Sequence, residues 1–136
     1  MSIVPELICS DIERSVAFYE RFGFRVVYER PAERFALLRR EGDAELMLEQ
    51  PLSRDRLFPS AALEHPHGRG VNLEIEVGDV ESLFAAAADA QLVLPLEERW
   101  YARGDDEVQV RQFAIADPDG YVLRFSQTLG TRPPQP

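Results

Sequence analysis

Hydrophobic and polar positions along this chain follow one plan that is written twice. Residues 3–9, IVPELIC, read as a strand that leads to Asp11, whose carboxylate suits a helix N-cap. Ile12, Val16, Tyr19 and Phe22 then recur at helical spacing as far as Gly23. Phe24–Arg30, Phe35–Arg40 and Glu45–Gln50 follow as strands, parted by the Pro31-Ala32 break and the Glu41-Gly42-Asp43 turn. The plan restarts after a long proline-containing connector. Val71–Val77 reads as a strand, Asp79 as a second N-cap, and Val80, Leu83, Phe84 and Ala87 as one apolar helical side. A short strand near Leu92–Leu96, an irregular polar segment Glu97–Glu107, and a hairpin of Val108–Ala116 with Tyr121–Gln127 complete it. The hairpin turns at Asp117-Pro118-Asp119-Gly120, where proline presets the first turn torsion and glycine accepts positive φ.

ELICSDIERSVAFY at 6–19 and LEIEVGDVESLFAA at 73–86 are the matching segments, set half of the 136-residue length apart. Duplication on this scale predicts one α+β domain over 1–136, made of two tandem βαβββ modules. Module 1 spans 3–50 and module 2 spans 70–128, with a connector at 51–69 holding at most a short helical turn and a frayed tail at 129–136.

Composition narrows the function classes. With 45% hydrophobic and 29% charged residues, the chain suits a globular domain with one sizeable core. A net charge of −9 repels phosphate backbones and argues against nucleic acid, while it attracts cations. No apolar run approaches the ~20 residues of a membrane helix, so no membrane partner is expected. MSIVPEL lacks the basic and apolar regions of a secretory signal, and the single Cys9 forms no internal disulfide, which together suggest the cytoplasm. Cys9, in an apolar strand, reads as a buried, inert thiol.

The paired modules, the DIERSVAFY helix start at 11–19 and the DPDGY hairpin at 117–121 resemble the vicinal oxygen chelate superfamily. It includes glyoxalase I, extradiol dioxygenases, fosfomycin-modifying enzymes and bleomycin resistance proteins. The resemblance implies a half-open barrel around a cleft, with helices outside. In metal-dependent members His and Glu side chains on cleft-facing strands hold the ion. Counting from the shared motifs, those positions fall on Val4, Met47, Asn72 and Arg124. A valine offers no lone pair, a thioether is too soft for hard divalent ions, and Arg124 brings a permanent cation. The resemblance therefore points to the metal-free, bleomycin-resistance-like branch, whose members sequester a drug without altering it and often pair as homodimers.

Strand alternation supplies the ligand-facing candidates. Glu45, Met47 and Glu49 oppose Leu46 and Leu48; Asn72, Glu74 and Glu76 oppose Leu73, Ile75 and Val77; Arg124 opposes Leu123 and Phe125; Glu6 opposes Leu7. This predicts a largely anionic, ligand-binding cleft. Trp100 and Tyr101, with Phe35 as a weaker companion, offer either a stacking wall for a flat or cationic ligand or caps on the core. His65 and His67 read as exposed loop histidines, and Asp117 and Asp119 as turn residues. The expected function is sequestration of a cationic, partly planar small molecule by a homodimer, with no cofactor, metal or catalytic residue. The alternative is an enzyme that uses Glu45, Glu49 and Glu74 as oxygen ligands for a relocated metal, or a glutamate as acid or base.

Overall fold

The computed structural model describes residues 2–52 and 63–136; the inner part of the predicted connector, with its expected helical turn, lies outside the described residues. Along the chain run β1 (Glu6–Ile8), α1 (Ile12–Arg21), β2 (Phe24–Arg30), a 3-10 turn (Pro31–Glu33), β3 (Phe35–Arg40) and β4 (Glu45–Glu49). Then come β5 (Asn72–Glu76), α2 (Val80–Ala86), β6 (Gln91–Arg103), β7 (Asp106–Ala116) and β8 (Val122–Arg132). The strands form two four-stranded mixed sheets ordered β1-β4-β3-β2 and β5-β8-β7-β6. In each, the strand before the helix pairs in parallel with the last strand of its module, and the other pairings are antiparallel. This is the expected α+β fold of two βαβββ modules.

Both helices start by the same device. Asp11 accepts from the Arg14 N–H at 3.2 Å, and Asp79 from the Ser82 N–H at 3.2 Å and its hydroxyl at 2.6 Å. The next orphan donor of each helix is met by a glutamine from the end of its own module: Ile12 N–H by Gln50 and Val80 N–H by Gln127. These equivalent glutamines extend the repeat beyond the segments that the sequence comparison aligned.

The chain divides into two units, one of Met1–Gly70 with Asp117–Tyr121 and one of Val71–Ala116 with Val122–Pro136. In the first, α1 buries Ser15 and Tyr19, its C-cap Phe22 is buried beside them, and the Tyr19 ring meets Phe24 edge-on at 5.5 Å. Leu7, Ala36, Leu38, Leu46 and Leu48 are buried on the sheet. In the second unit Phe84 of α2 meets Phe113, which meets Phe125, at 5.3 and 5.4 Å.

The Asp117–Tyr121 turn does more than reverse the chain, which corrects the reading of its aspartates as turn residues alone. Asp119 is fully buried and accepts from the Ser10 N–H and, at 2.7 Å, the Ser10 hydroxyl. Asp117, also buried, accepts from the Tyr19 hydroxyl at 2.6 Å and from the Asp119 and Tyr121 N–H groups. Desolvation raises the Asp117 carboxyl above its ordinary value, opposed by these hydrogen bonds. Burial likewise pushes the Cys9 thiol up to about 11, so it stays protonated and unreactive at neutral pH. The connector's end docks on the same turn: Gly68 N–H donates to the Asp119 carbonyl, and His65 reaches the Pro118 carbonyl at 3.2 Å. His65 is exposed as expected, but His67 is half-buried.

Two further expectations are corrected. Glu97–Glu107 is not irregular: Glu97–Arg103 belongs to β6, with Glu97 opposite Gln112 through to Arg103 opposite Asp106. Two register shifts near Leu94 break the alternation that would have revealed it, and Pro95 is tolerated because β6 is an edge strand. The frayed tail begins later than expected, since β8 runs to Arg132 and pairs Thr131 with Val108 and Arg132 with Glu107.

Two outcomes follow. Tyr19→Phe should cost about 1–3 kcal/mol, because the buried Asp117 carboxyl loses its hydroxyl donor. A carboxyl raised in the folded state favours folding below its ordinary value and loses that contribution as pH rises through the raised value. The penalty of Tyr19→Phe should therefore shrink as Asp117 becomes protonated; urea unfolding at stepped pH measures it, and a pH-independent penalty would contradict the assignment. Gly68→Ala should destabilise by about 1–3 kcal/mol or more, because its Cβ would collide with the Tyr121 backbone nitrogen. Gly78→Ala, with open space around it, is the near-neutral control in the same thermal melts.

Candidate functional site

On the face of the second sheet opposite α2, the register brings polar side chains from all four strands together. Glu74 lies opposite Arg124, Ser126 opposite Gln112, and Gln112 opposite Glu97. Their side chains join into one chain of hydrogen bonds. Glu74 accepts from Arg124 Nη2 at 3.2 Å and from the Ser126 hydroxyl at 2.9 Å. Arg124 Nη1 donates at 3.0 Å to Gln112 Oε1, and Gln112 Nε2 donates to Glu97 at 2.9 Å and to the Tyr101 hydroxyl oxygen at 2.7 Å. Gln112 is 1% exposed, whereas Glu97 and Tyr101 are half-buried and reach solvent. Arg124 Nε is buried and has no partner among the described residues. Arg99 lies over the Tyr101 ring at 5.1 Å.

The first sheet presents a second polar face, opposite α1. Glu45, Met47 and Glu49 are half-buried there while Leu46 and Leu48 are buried behind them, as alternation requires. Arg39 binds Glu45 at 2.8 Å, so that carboxylate is already neutralised. Phe35 is 7% exposed, stacks on Tyr28 and lies under Arg30 at 4.5 Å. A groove of about 720 Å³ opens in the same unit beside the start of α1, with Ile12, Val16, Pro31, Arg34 and Phe35 among its walls.

Of the residues expected to contact ligand, Asn72, Glu74, Arg124 and Tyr101 share the face of the second sheet. Glu45, Met47 and Glu49 share the face of the first, and Phe35 pairs with Tyr28 rather than standing open. Trp100 and Tyr101 do not form one wall. Adjacent residues of a strand point to opposite faces, and these two are adjacent in β6. Trp100 instead lies under Arg132 at 3.9 Å, and Arg132 Nε holds Glu107 at 2.6 Å. Gln112, Glu97 and Ser126 were missed. Gln112 had a signal: it is the polar residue just before the apolar run FAIA, a place where a side chain is buried and must find partners.

The residues at the four metal-ligand positions do not fit a metal. Arg124 engages Glu74 and Gln112 where a carboxylate ligand would be needed, and Val4, Met47 and Asn72 supply no anionic oxygen or imidazole. Among the described residues no three His, Cys, Asp or Glu side chains converge as a metal-holding group. Among the same residues, no helix is long and apolar enough to cross a membrane.

Comparison with solved structures places this architecture. TioX from Micromonospora sp. ML1 is 25% identical, with a TM-score of 0.71 over 95% of this chain and 100% of its own. A protein of unknown function from Agrobacterium tumefaciens str. C58 is 24% identical, with a TM-score of 0.73 over 95% and 94%. A bleomycin resistance determinant encoded on the transposon Tn5 is 23% identical, with a TM-score of 0.59 over 93% and 97%. No curated protein matches the chain significantly. The sequence profile of one family matches residues 3–125, nearly the whole length, and with the paired βαβββ modules it establishes that the chain belongs to the Glyoxalase/Bleomycin resistance protein/Dioxygenase superfamily.

Proposed function

We propose that this chain is a metal-independent small-molecule-binding protein of the bleomycin-resistance type, which holds its ligand on the polar face of the second sheet and sequesters it without chemistry. The observation that carries this reading is Arg124, wired to Glu74 and Gln112 where a metal-dependent member would need a carboxylate ligand. A hydrogen-bond network anchored on the buried Gln112 favours fixed hydrogen-bond recognition over Lewis-acid catalysis. The net charge of −9, with Glu74, Glu76 and Glu97 against Arg99 and Arg124 on this face, favours a ligand that carries positive charge. A cytoplasmic homodimer belongs to the same reading, supported by edge strands β2 and β6 that expose Val27, Tyr28, Leu92 and Val93.

Calorimetric titration with metal-free bleomycin should give saturable binding by protein stripped with chelator. Binding that appears only after a divalent metal is restored, or no binding, would overturn the proposal. Protein equilibrated with Mn²⁺, Ni²⁺ or Zn²⁺ and then dialysed should retain far less than one ion per chain by elemental analysis. Glu74→Gln should weaken bleomycin about threefold to tenfold, a reduced effect because the carboxylate is half-exposed and shared with Arg124. Glu13→Gln on exposed α1 should change little. Light scattering should return twice the 15.5 kDa chain mass.

A further inference from the structure

We infer that the same face carries a built hydrogen-bond couple, the Tyr101 hydroxyl as donor and the Glu97 carboxylate as acceptor, matched to the edge of a carboxamide or lactam on the ligand. This rests on the small-molecule-binding reading and adds to it the chemical group that is read.

The polarity follows from Arg124. A guanidinium only donates, so the Gln112 atom that faces Arg124 Nη1 at 3.0 Å is its carbonyl oxygen. The amide nitrogen of Gln112 is thereby turned to β6, and its two hydrogens go to Glu97 at 2.9 Å and to the Tyr101 oxygen at 2.7 Å. Gln112 is 1% exposed, so water does not compete for these bonds or let the amide flip. The Tyr101 oxygen therefore accepts, and its own proton is directed elsewhere; among the described residues it has no acceptor. Glu97 keeps a second carboxylate oxygen that also has no partner among them. One nitrogen holds both groups, so the Tyr101 oxygen and a Glu97 oxygen each lie within hydrogen-bond distance of the same buried Gln112 atom, on half-buried residues of β6.

Each simple ligand class meets this couple differently. A cation satisfies Glu97 but leaves the Tyr101 proton unmet. A carboxylate satisfies Tyr101 but sets a second negative charge against Glu97. A carboxamide or lactam offers an acceptor and a donor together and satisfies both. A site that pairs such groups disfavours analogues that strand one of them.

The test uses three probes that share one ring: benzamide, benzamidinium and benzoate, titrated at millimolar concentration into isotopically labelled protein and followed by amide chemical shifts. Benzamide should give saturable shifts at residues 97–101 and 112, with the other two at least several-fold weaker there. Tyr101→Phe should weaken benzamide about tenfold, with a thermal melt confirming that the variant is folded. Glu97→Gln, which removes the charge and keeps the size, should weaken it as well. Equal response to the three probes, no saturable shift, or unchanged benzamide affinity in folded Tyr101→Phe overturns the couple. Bleomycin binding separates the two ideas. Bleomycin binding without probe discrimination removes the couple and leaves the sequestration reading, whereas benzamide selectivity without bleomycin binding does the reverse.

Discussion

The first unit depends on burying two carboxylates. Taking Asp117 and Asp119 out of water is expensive unless each charge is met by donors. Tyr19, Ser10 and the turn's own N–H groups meet them, and those donors come from α1, from the residue ahead of its Asp11 cap and from the hairpin. A stretch far along the chain is thereby tied to the first helix. The Tyr121 hydroxyl adds a bond to the Ile8 carbonyl at 2.9 Å, and Gly68 fits against the Tyr121 backbone where no side chain has room. Such a joint specifies one arrangement, because any slip would strand a buried charge or a buried donor.

Duplication accounts for the rest of the architecture, and the two copies have diverged in an informative way. Each retains an aspartate N-cap and a glutamine in or just after its last strand that closes the helix start. Each places a leucine-rich or aromatic face behind the helix and a polar face on the other side. They differ in how the polar face is satisfied. In the first sheet Arg39 and Glu45 pair across adjacent strands, and Phe35 lies between Tyr28 and Arg30. In the second a single buried glutamine connects Arg124 to β6, and through Arg124 to β5.

That glutamine converts a cation into a directional instruction. Arg124 fixes which end of the Gln112 amide faces which strand, and the amide in turn fixes which atoms of Tyr101 and Glu97 it engages. The same superfamily scaffold hosts several chemistries, so membership alone does not decide among them. At the strand position where the family resemblance puts a carboxylate ligand, this chain carries a cation, Arg124, engaged by Glu74 and Gln112.

Much of this was legible in the residues. Periodicity gave both helices, their aspartate caps and most strands to within a residue or two, because a buried face imposes a strict period on each element. The opposition of Glu45, Met47 and Glu49 to Leu46 and Leu48, and of Glu74 to Ile75, was equally legible, since a strand's two faces alternate. The extent of β6 was not. Its bulges near Leu94 and its solvent-facing edge erase alternation, and the segment becomes a strand only because Gln112 and its neighbours in β7 stand opposite. Trp100 and Tyr101 looked like one aromatic wall until pairing with β7 sent them to opposite faces. The partners of Gln112, Asp117 and Asp119 are likewise distant in sequence, so only the folded chain decides them. Local patterning determined which elements form; register and long-range hydrogen bonding decided which side chains meet, because those contacts exist only after the strands have paired.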